Sequence, residues 1–385
     1  MIRLFLFLIC AGLRAHALLR FGCSQLVTER LDPLGTPGQV SPHVHQIIGG
    51  NAFNVTMDPA LDIPSVATCT TCKFKEDKSN YWTAVMYFKH PNGTFTRVPQ
   101  IPNHFVGSTD GGMTVYYVQP GGNRVSAFPK GFRMITGNPK IRLSSPSEPS
   151  DVASWALSFR CWESPDPFGP SNTYPPGAGQ YDTRHLPNKK CAGGIRSNVF
   201  FPSCWDGKNT DMPDHSSHTA YPLGSVNPNV GILGFVGEGC PSSHPVRVPH
   251  VLYETYWDTS KFNDLLTDAE WETEQPLVLS MGDPTGYGQH GDYLFGWEGD
   301  SLQRAMDNCM DGFGWPEACT ELTVQTDEEM NSCKLATKVG ENVGESEYIE
   351  ALPGCNPLQN GPEPATTVEG CLAVSTTIAS VATPV

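Results

Sequence analysis

Thr83-Ala84-Val85-Met86-Tyr87-Phe88, then Asn92-Gly93, then Phe95-Thr96-Arg97-Val98: this stretch decides the fold class. Two short runs of β-branched and aromatic residues flank Asn-Gly, the strongest local hairpin signal, because both turn residues accept the positive φ that a tight turn between twisted strands demands. The same texture recurs at Met113–Val118, Val125–Phe128, Phe132–Ile135, Ser154–Arg160, Arg196–Phe201, Val251–Trp257, Pro276–Met281 and Asp292–Trp297. Gly, Pro and Asn clusters separate these runs, and the chain carries 38 Gly and 34 Pro, which leaves little room for long helices. Only Asp258–Glu270 and Asp300–Met310 read as helical. Many short strands with frequent turns predict a mainly β protein, a β-sandwich or jelly-roll-like domain with few helices.

The first residues predict an address. Arg3 precedes the apolar run Leu4–Leu13, and Ala15-His16-Ala17 supplies small residues for cleavage, the pattern of a secretory signal over 1–17. Removal of that segment takes Cys10 and leaves twelve of the 13 cysteines, an even number suited to disulfides outside the cell. Asn54-Val55-Thr56 and Asn92-Gly93-Thr94 are glycosylation sequons consistent with that route. No later run reaches the roughly 18–20 apolar residues of a membrane helix.

Organisation follows from composition. Residues 18–308 read as the β-rich main domain, 309–363 as a cysteine-rich acidic extension tied on by disulfides, and 364–385 as a flexible Ser/Thr/Ala/Pro tail. The formal net charge is −15, and residues 300–385 hold 14 acids against 3 bases, so nucleic acid and anionic membranes are poor partners.

Three segments carry chemistry. In Ser41-Pro42-His43-Val44-His45-Gln46 the two imidazoles share a face if the chain is extended, since side chains alternate with period 2. In Trp205–His218, Asp206, Lys208, Asp211, Asp214, His215 and His218 crowd into a turn-rich run, with Trp205 available to stack on a sugar. In Gly282–Asp292, His290 and Asp292 are spaced as an imidazole and its orienting carboxylate. No G-K-[ST] follows these glycines, and no H-E-x-x-H or G-x-S-x-G occurs, so phosphate loops, zincins and nucleophile-elbow hydrolases lack their signatures. Cys69-Thr70-Thr71-Cys72 has redox or zinc spacing, but in this company it reads as structural disulfide halves. His250 and Glu254 share a strand face with Tyr256.

Val40-Ser41-Pro42-His43-Val44-His45-Gln46 with Gly49-Gly50-Asn51, Ser79–Ala84, Gly194–Asn198, Cys204–Asn209, Asp214-His215 with His218, and Gly282–Tyr293 together resemble a secreted fungal family. That family is catalogued only as a domain of unknown function, and some of its members are fused to WSC carbohydrate-binding modules. The resemblance runs from about Pro33 to Asp307 and implies an extracellular or wall-associated protein, without supplying a mechanism.

The resulting expectation is a secreted carbohydrate-active enzyme, a polysaccharide hydrolase or lyase. His45, Asp214, His215, His290 and Asp292 form its catalytic set. His43, Arg196, Trp205, Asp206, Lys208, His218, Tyr287 and Tyr293 are expected to bind substrate, with Trp297 beside them as a further stacking surface. Hydrolysis would draw a carboxylate pair from Asp206, Asp214, Asp283 and Asp292, and elimination would use an imidazole or Tyr287 as base. No cofactor is assigned, and the partner is a fungal-wall or plant polysaccharide. The alternatives are a non-catalytic wall-binding protein and a metal site built from His43, His45 and either His215 or His218.

Overall fold

A computed structural model describes residues 18–368, apart from 103–110, 120–123, 144–151, 167–168, 170–171, 174–179 and 227–236. The signal segment 1–17, most of the expected tail and Cys371 therefore lie outside the described residues.

Two antiparallel sheets dominate. The larger runs in the order Leu18–Cys23, Met113–Val118, His250–Trp257, Ile195–Phe200, Leu157–Cys161, Asp182–Thr183. The smaller runs Val27–Glu29, His45–Gly49, Asn80–Ala84, His290–Leu294, Arg133–Gly137. Phe21, Val115, Tyr117, Val251 and Tyr253 of the first sheet pack on Ile48, Tyr81, Met134 and Tyr293 of the second, so the protein is a β-sandwich. Alternation along each strand then sends Ile47, Trp82 and Leu294 to the far side of the smaller sheet. There they meet Phe53, Met57 and Val339 in another core cluster. That outer cover explains why Asn80–Ala84 is buried on both faces.

Asn92-Gly93 closes the expected hairpin, with Met86–Lys89 paired to Phe95–Arg97 and Gly93 at φ +88°. Other expectations shift in detail. The run Thr83–Phe88 splits into the strands Asn80–Ala84 and Met86–Lys89, which belong to different sheets. Ser154–Arg160 divides into a helical turn, Val152–Trp155, and the strand Leu157–Cys161. Val125–Phe128 forms no strand. The helix expected over Asp258–Glu270 is a 3-10 segment, Thr259–Leu265, followed by the α-helix Asp268–Glu274. Thr267 starts that α-helix with a capping box to Glu270, which explains the break.

Five disulfides lie among the described residues: Cys23–Cys72, Cys69–Cys333, Cys161–Cys191, Cys204–Cys240 and Cys309–Cys319. Cys69 and Cys72 thus pair with separate distant partners, as structural halves. No helix among the described residues is long and apolar enough to cross a membrane.

His250 offers a pH probe of this fold. It is fully buried with its ring edge-on to Phe200, and neither ring nitrogen has a hydrogen-bond partner among the described residues. Burial first, and Arg247 second, push its pKa down to about 3. The unfolded chain takes up that proton near 6.5, so between about pH 6.5 and 3 the unfolded state binds more protons. The stability contributed by neutral His250 is complete above 6.5 and is lost as the pH falls through this window. Urea unfolding of His250→Phe should therefore lose about 2 kcal/mol less than the native protein between pH 7 and pH 5. Parallel pH profiles for the two proteins would refute this.

Candidate functional site

Sheet order assembles the site. His45 opens its strand, and His290 opens another; the strand Asn80–Ala84 lies between them in the same sheet. His43 precedes the first strand by two residues. The three side chains meet on the outer side of the smaller sheet, away from the sandwich interior. His290 Nε2 lies 3.1 Å from His43 Nε2 and 3.2 Å from His45 Nε2. One ligand-type nitrogen from each ring falls within 4.8 Å of the others, the one such group of three among the described residues.

The second nitrogens of His45 and His290 are committed to backbone oxygens. His45 Nδ1 donates to Leu31 O at 3.1 Å, and His290 Nδ1 donates to Gly288 O at 3.1 Å. A carbonyl can only accept, so both Nδ1 atoms carry hydrogen and both Nε2 atoms of the neutral rings present lone pairs. Charging a ring is disfavoured here. Burial lowers all three pKa values, His43 well below the ordinary value and His45 to about 4, the latter against an opposing pull from Asp32. His43 can offer one Nε2–H to His290, which still leaves the His45–His290 contact with two lone pairs and no proton. A cation placed between them would remove that repulsion. Regular tetrahedral coordination at Zn–N of about 2.05 Å separates ligand nitrogens by about 3.3 Å, close to the two observed spacings.

The support beneath His290 is built by Asp283. Its Oδ1 accepts from the N–H and hydroxyl of Thr285, its Oδ2 accepts from Gly288 N–H at 2.7 Å, and Arg142 lies 3.5 Å away. This buried carboxylate shapes the loop whose Gly288 carbonyl fixes the His290 tautomer, the outer-shell duty typical of metal-site histidines. Asp283, expected only as one of four candidate acids, therefore positions a site residue. The turn signal Asp283-Pro284-Thr285 was its visible trace. The Leu31 carbonyl left none, since any residue supplies one.

Asp292 shares the strand face of His290 but does not hydrogen-bond to it; the Nδ1 that would receive it is taken by Gly288. Its Oδ2 is buried without a hydrogen-bond partner among the described residues, and burial, reinforced by Asp32, pushes its pKa well above the usual carboxylate range. Asp292 thus lies buried on the face of His290 without bonding to it, and its surroundings favour the protonated form.

The run Trp205–His218 sits elsewhere. It lies along the strand Arg133–Gly137, through Arg133 N–H to Thr210 O and Ile135 N–H to His215 O. Asp206 accepts from the N–H groups of Lys208 and Asn209, and Asp214 from those of Ser216 and Ser217, so both are turn acids. His215, at φ 51°, bonds Asp211 at 2.6 Å, and His218 is buried with Nε2 donating to Arg133 O. Trp205 donates to Asn209 O and packs edge-on to Phe132, while Lys208 is exposed on the turn. None of these residues joins the three-histidine group.

Arg196 is on the larger sheet, buried on its outer face between Glu254 at 3.4 Å and Asp182 at 3.7 Å. Tyr293 and Trp297 are core residues linked through the Tyr117 hydroxyl, not an exposed stacking strip. Tyr287 is half-buried, its N–H donating to Thr285 Oγ1.

Residues 32–297 match the family described as Domain of unknown function (DUF1996), and the chain belongs to that family. No curated protein and no solved structure matches the chain.

Proposed function

We propose that this domain is an extracellular metal-binding protein that holds one transition-metal ion on the Nε2 atoms of His43, His45 and His290. The observation that carries the reading is the convergence of the three imidazoles, His290 Nε2 lying 3.1 Å from His43 Nε2 and 3.2 Å from His45 Nε2 while the Nδ1 atoms of His45 and His290 face backbone carbonyls. A neutral tri-imidazole set suits zinc, copper, nickel or ferrous iron and disfavours calcium and magnesium, which seek oxygen ligands. Three protein ligands are the number found in catalytic rather than structural zinc sites. His43 also borders a cavity of about 100 Å³ with Pro42, Arg142, Met281 and Asn356. The five disulfides support an oxidising compartment and hence secretion.

This reading is preferred to acid–base cleavage of a polysaccharide because Asp206, Asp214 and Asp283 all brace loops, and Asp292 is buried without a bond to His290. Protein purified without nickel chromatography, stripped with chelator and retitrated, tests the proposal. One zinc or copper ion per chain is expected, with stabilisation of about 2.7 kcal/mol at a hundredfold excess over Kd. That corresponds to a rise of about 2–4 °C in thermal midpoint. Stoichiometry near zero for every divalent metal tried, with no thermal shift, would end the proposal.

A further inference from the structure

Past the end of the family match, the chain returns to the histidine cluster and crosses it. Two arms carry imidazoles there: the segment through Pro42 and His43, and the loop from Gly282 to His290. Residues 354–368 touch both. On the first arm, Asn356 Nδ2 donates to Pro42 O at 2.8 Å, and Gly354 sits against the same oxygen with no room for a Cβ. On the second, Gln359 N–H donates to Gly282 O at 3.0 Å, and Pro357 O closes on Gly282 so tightly that only glycine fits. Arg142, the neighbour of Asp283, adds a bond from its Nε to Gln359 O at 2.9 Å. Ala365 N–H donates to Lys140 O at 2.7 Å and holds the far end.

The crossing lacks apolar anchors. Leu352 and Pro353 are the last buried residues before it, and every described residue from Gly354 to Val368 is half-buried or exposed. Segments with few buried apolar contacts open locally for much less than the cost of global unfolding. Beneath the crossing lies the cavity of about 100 Å³ that His43 borders, and Asn356, Gln359 and Thr366 contribute to its wall. The crossing therefore stands between His43 and solvent. Lifting it uncovers that imidazole and unties the two arms from each other.

We propose that residues 354–368 form a clasp that gates the histidine cluster, holding its two arms together when closed and admitting or releasing the ion when open. The ion in this inference rests on the metal-binding reading, whereas the gate rests on the contacts alone. An ion ligated from both arms ties the same two segments that the clasp ties. Closure and metal binding therefore favour one another by an equal factor.

The test uses the full chain. Asn356→Ala and Gln359→Pro each remove one donor to an arm carbonyl and alter no histidine. Metal-free protein is treated with diethyl pyrocarbonate, which acylates neutral imidazoles, and the modified histidines are read by peptide mass spectrometry. Exposed His185 is the internal standard, and buried His218 reports that the fold is intact. His43 should react about fivefold faster in either variant, the gain in open population that loss of one hydrogen bond gives, while His218 stays slow. Zinc-loaded variants should lose the ion to excess chelator faster by the same factor. In the native protein zinc should slow hydrogen exchange at the Gln359 and Ala365 amides. Unchanged His43 acylation in both variants would overturn the clasp, as would exchange at those amides that ignores bound zinc. A native chain that takes up no metal would instead overturn the metal-binding reading, and the acylation rates would still decide the gate.

Discussion

A chain carrying His290→Ala is expected to bind zinc at least about a thousandfold more weakly than the native protein while remaining folded. His290 is the shared member of the cluster, its Nε2 lying within 3.2 Å of both other imidazoles. Its loss leaves two neutral nitrogens that no longer surround one point, and removing a residue that touches the metal costs more than the 10–100-fold typical of residues that only orient such ligands. The fold should tolerate the change, since the substitution also removes the contact between opposed lone pairs. His218→Ala is the control. That residue is equally a buried histidine, but it donates to Arg133 O beside the smaller sheet's edge strand, so its loss should cost stability and leave zinc affinity intact. Competition titration against a chromophoric chelator reads both variants. Equal zinc affinity in His290→Ala and native protein would remove the cluster as the binding site.

The second large effect concerns Cys69–Cys333, which joins residues 264 positions apart. In the chain-entropy account, closing a loop of that length restrains the unfolded state by about 5 kcal/mol. Cys333 and Val339 sit in the cluster that covers Trp82, and Glu29 accepts from the N–H groups of Lys338 and Val339 at 2.7 and 2.8 Å. The disulfide thus fastens the cover of the sheet that presents His45 and His290. Replacing both cysteines by serine, which leaves neither half as a lone thiol, should lower the thermal midpoint by about 7 °C. A drop of only a degree or two would show that noncovalent packing alone holds the segment.

Much of the fold was legible because strands announce themselves locally. Asn92-Gly93 marks its hairpin, and the runs at Met113, Arg196 and Val251 all become sheet strands. What periodicity does not encode is which strands become neighbours. His43, His45 and His290 each stood out as isolated signals, but their meeting depends on Asn80–Ala84 inserting between two strands some 245 residues apart. The run from Trp205 to His218 misled for a related reason. Asp206 and Asp214 are dense in polar chemistry because turns need side-chain acceptors for their own N–H groups, and residue types do not distinguish that duty from catalysis. Tyr293 and Trp297 misled in the opposite sense, since aromatics with polar tips serve equally as sugar platforms and as hydrogen-bonded core.

The family match stops at Trp297, yet the molecule does not. Leu302, Ala305 and Met306 plug the sandwich interior, Ile349 and Leu352 complete the cluster around Trp271, and Cys333 and Val339 close the one around Trp82. At the other end Leu19, Phe21 and Leu26 belong to the same clusters though they precede residue 32. A fragment excised at the borders of the match would bare oily patches on every layer and clump rather than refold. Anyone transplanting or expressing this unit should carry residues 18–368 as one piece.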